Sequence, residues 1–267
     1  MNRRAFLDES REQLFSGMGI PEKVDFVADD FQKDAISSVV EGSDTLVVAP
    51  TGSGKTYIAF EAIDAYLRLG KRAVYTTPLK ALSNTKFNEL KVRFEPEFQV
   101  GLLTGDRKIE TDAHVVVATT EIFRNEMYHH GSKHSLVVLD EVHFIADPQR
   151  GAVWEESIIL APPSAALLML SASISNATEI ADWLAEVRGR PCRIVTKVGR
   201  PVALRYGFLH PDLGVIPLEG KEGQVFPEVT RFYSRAGLDS QGMRLKGPRR
   251  DQQGPPRGRG RRGGKRR

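Results

Sequence analysis

The chain has 267 residues, 40% apolar and 8% aromatic, enough for a buried core, which excludes a collagen-like, wholly disordered or disulfide-stapled miniprotein. A single cysteine, Cys192, forbids an internal disulfide and a cysteine-rich zinc site and points to a reducing, cytoplasmic compartment. The net charge of +4 hides a division: residues 244–267 carry eleven Lys/Arg against Asp251 alone, so the rest of the chain sums to −6.

The residues from Asp30 to Val40 read as an amphipathic helix ahead of the first strand. Short apolar runs then alternate with helix-period segments, the pattern of βα units on a parallel sheet covered on both faces. The runs are Thr45 to Ala49, Arg72 to Thr77, Val100 to Leu103, His114 to Thr119, Leu136 to Asp140, Ala166 to Ser171 and Arg193 to Lys197. Between the first two, Ile58, Ala59, Ala62, Ile63, Tyr66 and Leu67 paint one face of a helix that Gly70 stops. The segment Ala177 to Val187 reads likewise. Trp154 and Trp183 fall at helical spacing among apolar residues and are read as packing residues. The pattern weakens after Arg200, and from Gly220 onward it gives no periodicity. The basic tail is rich in Gly and Pro and nearly free of apolar residues, so it is expected to be disordered. Its GPPRGRGRRGGKRR stretch is either an RGG-type segment that binds RNA through phosphate attraction and arginine stacking or a solvated linker. No stretch approaches the roughly 20 apolar residues of a spanning helix, and Met1 to Ser10 has no apolar signal core, so no membrane partner is expected.

The strongest chemical signal is Ala49-Pro50-Thr51-Gly52-Ser53-Gly54-Lys55-Thr56, lying between an apolar strand and a helix start. It matches GxxxxGK[ST] except that Ala49 replaces the first glycine. Gly52 and Gly54 let backbone N–H groups converge on phosphate oxygens at a helix N-terminus. Lys55 would reach the β and γ phosphates, and the Thr56 hydroxyl would ligate Mg²⁺. A second apolar run, Leu136 to Leu139, leads straight into Asp140-Glu141-Val142-His143, 85 residues after Lys55. Asp140 is placed to hold Mg²⁺, and Glu141 to orient or deprotonate an attacking water. The six histidines show no metal-ligand spacing.

The succession APTGSGKT, TTPLKALSNTKF, LLTGD, TTEIFRN, DEVH and SAS resembles motifs I to III of superfamily 2 helicases with a DExH box. The loop FIADPQRGAVWEE and the phrase SASISNATEIADWL are similar to the Ski-like branch of RNA helicases, which act in RNA decay and processing. The resemblance covers roughly Asp25 to Arg205. It implies ATP and Mg²⁺ as cofactors, with Gln32 hydrogen-bonded to adenine and Phe26 either stacked on the base or buried in the core. It implies a single-strand grip, RNA by family, at Pro78 and Lys80, at Thr104 and Gly105, and at Thr120; Lys80 by itself reads more readily as a solvated lysine. His143, Ser171 and Ser173 correspond to residues that couple the γ-phosphate to domain movement. Ser173 stands where the family often has Thr, and nothing after it resembles motifs IV, V or VI. A second RecA-like domain, in cis or in trans, is therefore expected to complete the ATP site.

These readings give a RecA-like P-loop α/β domain, a mostly parallel sheet with helices on both faces, over residues 25–221. Residues 1–24 are expected to be an N-terminal extension, and residues 222–267 a linker and disordered basic tail. The function expected is the ATP-binding motor domain of an ATP-dependent RNA helicase. The alternative is a nucleotide-regulated nucleic-acid-binding module without motor activity.

Overall fold

A computed structural model describes residues 3–18, 27–172, 174–200, 204–220 and 223–235. The chain divides into two units, one formed by Lys23–Ala203 and the other by Met1–Glu22 together with Leu204–Arg267.

The first unit begins with helix α2 (Asp30–Val40), followed by β1 (Asp44–Val48), α3 (Lys55–Arg68), β2 (Ala73–Thr77) and α4 (Lys80–Phe94). Next come β3 (Val100–Leu103), β4 (Lys108–Ile109), β5 (Val115–Thr119), α5 (Thr120–His130) and β6 (Leu136–Leu139). A 3₁₀ turn (Val142–Ala146), α6 (Gly151–Leu160), β7 (Ala166–Ser171), α7 (Ala177–Arg188) and β8 (Cys192–Thr196) complete it. The strands form one sheet in the order β4-β3-β5-β2-β6-β7-β1-β8, and every pairing is parallel except β3 with β4.

Why the strands read as unbroken apolar runs is visible in the packing. Val47, Tyr75, Val117, Val138 and Leu168 face one layer, built of α2, α3 and α4. Their neighbours Leu46, Val48, Val74, Val137, Leu139, Leu167 and Met169 face the other, which holds Phe123 of α5, Trp154 and Ile158 of α6, and Leu184 of α7. With both faces covered, alternation in polarity has no physical cause and disappears. Trp154 is fully buried, and Trp183 is partly buried against the same layer.

At the edge of the sheet where β1 begins, Asp44 is buried and acts as a clasp. Its carboxylate accepts the Leu167 N–H at 2.8 Å, Arg188 Nε at 2.6 Å and Arg190 Nε at 2.9 Å. Arg188 also donates to the carbonyls of Ala161, Pro162 and Ala165. The buried charge is thus paired and fully hydrogen-bonded, the condition under which it is tolerated.

In the other unit, α1 (Arg3–Phe15) accompanies an antiparallel pair, β9 (Gly207–His210) and β10 (Gly214–Pro217), and helix α8 (Pro227–Arg235). Leu7, Ile216, Phe226 and Val229 form its core, with Phe6 stacked on Phe226. Residues 204–220 group with α1, and 227–235 form a helix that the sequence pattern did not show. The reason is a core assembled from segments some two hundred residues apart, too small to print a periodic pattern on any of them. Residues 236–267, with the basic tail, lie outside the described residues. Among the described residues, no helix is long and apolar enough to cross a membrane.

Candidate nucleotide and nucleic-acid site

The loops that leave the carboxyl ends of β1, β2, β3, β5, β6 and β7 carry nearly all the residues singled out by sequence. This is the edge at which open α/β sheets bind ligands.

After β1 the chain turns through residues 49–54 into α3. Gly52 and Gly54 have φ of +85° and +82°, left-handed values that disfavour any side chain. At Gly54 a Cβ would also come within 2.3 Å of Gln32 Nε2, which would have to shift from its hydrogen bond to Ser53 O. Thr51 and Gly52 are exposed at the loop tip, while Pro50 and Ser53 are buried, with Ser53 Oγ donating to Pro50 O at 2.7 Å. Lys55 Nζ folds back over the loop and donates to Ala49 O at 2.7 Å and Pro50 O at 3.1 Å. Burial lowers the pKa of Lys55, and the charges of Glu141 and Asp140 act against that shift. Gln32 is buried beneath the loop: its Nε2 donates to Ser53 O at 3.0 Å, and its Oε1 accepts the Asp29 N–H at 2.9 Å. Two of its hydrogen-bonding groups are therefore committed to shaping the loop and the start of α2. Phe26 lies outside the described residues.

At the end of β6, Asp140 Oδ2 accepts the Tyr75 hydroxyl at 2.7 Å and Oδ1 accepts the Glu141 N–H at 2.9 Å. Burial raises the Asp140 pKa, opposed by those two hydrogen bonds and by the charges of Lys86 and Lys55. Glu141 is also raised, first by burial and then by the charge of Asp140. Its backbone is left-handed, φ 54° and ψ 44°, a conformation that costs a non-glycine residue free energy and recurs at functional sites. His143 Nδ1 lies 3.2 Å from a Glu141 carboxylate oxygen without a hydrogen bond between them, and its ring stacks on Phe144.

The remaining loops converge beside this pair. Pro78 is buried and its carbonyl accepts Arg150 Nη2 at 2.7 Å; Arg150 also pairs with Glu121 at 2.8 Å. Lys80 is exposed and lies 3.2 Å from Asp106, beside the exposed Gly105. Thr104 and Thr120 differ from these. Both are buried, Thr104 Oγ1 donating to Asp106 at 2.9 Å and Thr120 Oγ1 to Thr77 O at 3.1 Å. Their hydroxyls hold loops together and are not presented at the surface. Ser171, at the end of β7, has a buried Oγ without a hydrogen-bond partner among the described residues, and Ser173 lies outside them. A cavity of about 310 Å³ opens between the 3₁₀ turn and α7, lined by His143, Ile145, Ile174, Glu179 and Trp183.

Three residues here escaped the sequence reading. Tyr75 is hidden inside an apolar strand run. Lys86 looks like one more charge on a helix surface, yet its Nζ is 3.3 Å from Thr56 Oγ1. Arg150 lies in a loop noted only for its likeness to relatives, although its guanidinium ties the turn after Asp140 to the loops after β2 and β5. The run Asp147-Pro148-Gln149-Arg150 is a turn signal, with Asp147 Oδ1 accepting two backbone N–H groups, and could have been read as fixing Arg150 in place.

A strand, glycine-rich loop and helix, with an acidic pair at the end of a nearby strand, define the chain's larger unit as a RecA-like P-loop domain. Residues 29–180 match the DEAD/DEAH box helicase family, to which the chain belongs. It is 45% identical over 208 residues to a chloroplastic DExH-box ATP-dependent RNA helicase, DExH15, of Arabidopsis thaliana, covering 74% of this chain and 18% of that one. Likeness to the probable helicase HelY of Mycobacterium tuberculosis is 46% over 182 residues, 67% of this chain and 20% of the relative. To the exosome RNA helicase MTR4 of Mus musculus it is 40% over 193 residues, 71% of this chain and 18% of the relative. The chain thus spans about a fifth of the length of these curated relatives. The fold also matches the crystal structure of DUF1998 helicase MrfA bound to DNA and AMPPNP, with a TM-score of 0.54 at 22% identity over 75% of this chain and 30% of that one.

Proposed function

We propose that the α/β unit is the ATP-binding motor domain of an ATP-dependent RNA helicase, working with a second RecA-like domain supplied in cis or in trans. The observation that carries this reading is the left-handed glycine loop between β1 and Lys55 of α3, at the same edge of the sheet as Asp140 and Glu141 after β6, whose charges act on Lys55. In this reading the N–H groups of residues 52–56 and the Lys55 ammonium bind the β and γ phosphates of ATP. The Thr56 hydroxyl and the Asp140 carboxylate are hard oxygen donors suited to Mg²⁺. A lysine ammonium resting on Thr56 Oγ1 marks the place as one that accepts a cation. Mg²⁺, when bound, neutralises charge on the phosphate oxygens. Glu141 orients a water and accepts its proton, and a pKa raised toward neutrality strengthens it as a base. The second domain contributes arginine, which is worth about 10³ to 10⁵ in rate in such sites. Exposed Lys80 and Gly105 contact the backbone of a single strand, while Thr104 and Thr120 act by shaping those loops. A cytoplasmic location accords with the single cysteine.

Calorimetry with a non-hydrolysable ATP analogue tests the site. Lys55→Ala should lose binding while keeping its circular dichroism, and equal affinity in the variant would refute the assignment. Adding a second RecA-like domain should bring RNA-stimulated turnover that Glu141→Gln removes. Binding that never leads to turnover would instead identify a nucleotide-regulated binding module.

A further inference from the structure

Helix α4 brings one cation, Lys86 of the TTPLKALSNTKF run, into the metal side of the site, and none of the roles named above accounts for it. The Lys86 side chain is only 15% exposed. Its ammonium is 3.3 Å from Thr56 Oγ1, 2.8 Å from Glu89 Oε2 and 5.9 Å from the centre of the Phe60 ring, and its charge acts on Asp140. An ion pair with Glu89 three residues along the helix would form equally well in full solvent. The contact with Thr56 is different in kind, because it occupies a lone pair on the hydroxyl assigned above to the metal.

We infer that Lys86 is a positioning residue that stands in for Mg²⁺ in the nucleotide-free site and is displaced from Thr56 when Mg²⁺-nucleotide binds. The inference rests on the nucleotide reading above. Three features support it: the hydroxyl that must face the metal faces the ammonium, the carboxylate on the metal side lies within the field of the same charge, and Glu89 offers Lys86 an anchor once it withdraws. One monovalent charge cannot satisfy two hard oxygen donors as a divalent ion does, and the two cations repel across a few ångströms of partly buried protein. Occupancy by one therefore opposes occupancy by the other. Because Lys86 and Lys80 lie on the same rigid helix, α4 links the state of the metal to the loop that begins at Pro78.

The test is a titration of Mg²⁺ against a fluorescent ADP analogue bound to the full chain, with nucleotide affinity also measured in EDTA. Lys86→Met keeps the aliphatic stem and removes the charge. It should lower the half-saturating Mg²⁺ about tenfold, equal to ~1.4 kcal/mol, while weakening metal-free nucleotide binding. Lys86→Arg keeps the charge and should resemble the parent protein. A purely structural role would weaken both affinities together. An unchanged or raised Mg²⁺ requirement in Lys86→Met, with Lys55→Ala still abolishing binding, overturns the inference and leaves the nucleotide reading standing. A parent chain that binds no nucleotide with Mg²⁺ overturns both.

Discussion

At the scale of single residues, the ionisable groups of the α/β unit respond to burial in opposite directions according to their charge. Asp140 and Glu141 are raised by it, and Lys55 is lowered. Away from the site, His134 shows the same physics in isolation. Burial, with the charge of Arg72, lowers its pKa from 6.5 to about 4, and its Nδ1 lies 2.8 Å from Ser132 Oγ. Between those two values the unfolded chain takes up a proton that the folded chain refuses, so folding stability should fall as pH drops from 6.5 toward 4. Against His134→Gln, the parent protein should lose about 2 to 3 kcal/mol more over that interval. Urea denaturation of both proteins at several pH values measures it, and parallel curves would contradict it.

At the scale of elements, legibility followed burial. Strands covered on both faces announced themselves as apolar runs, and α3 showed its stripe because Ile58, Ala59, Ala62, Ile63 and Tyr66 all face the core. Helix α4 did not, because Ser83 occupies a core position, satisfied there by the Thr77 hydroxyl at 2.7 Å. In α6 the buried residues include Gly151 and Ser157, the latter bonded back to Val153 O. Small polar residues whose hydrogen bonds close locally are invisible to a hydropathy pattern. The Asp44 clasp was equally hidden, since an acid beside a turn ordinarily reads as solvated. It joins β1, β7 and α7 far from the phosphate loop, so Asp44→Ala should destabilise the unit by about 3 to 5 kcal/mol by leaving Arg188 buried without its counter-charge. Chemical denaturation tests the loss. A correspondingly large drop in nucleotide affinity under native conditions would contradict a purely structural clasp.

At the scale of the whole molecule, charge separates along the chain more sharply than structure does. The α/β unit carries the glycine-rich loop and the acidic pair, and the eleven basic residues of 244–267 lie outside the described part. If those residues neutralise RNA phosphates, deleting them should weaken single-strand binding and reduce the log–log salt slope by about 0.7 for each phosphate left without its cation. Filter binding from low to moderate salt would show it, and an unaltered slope would make the segment a linker. The motif set was legible because phosphate chemistry restricts which residues can serve. The second unit was not, because α1 and the β9–β10 pair meet across most of the chain's length and share a core of only a few side chains.

The left-handed backbone at Glu141 bears on how the domain can be improved. Were the chain judged by folding alone, glycine or asparagine would serve better at φ 54°. A search that rewards only thermal resistance will therefore be drawn to the position proposed above as the base that orients the attacking water. If Glu141 is the base proposed above, libraries screened for heat tolerance without a turnover assay would collect durable proteins that hold nucleotide and do nothing with it.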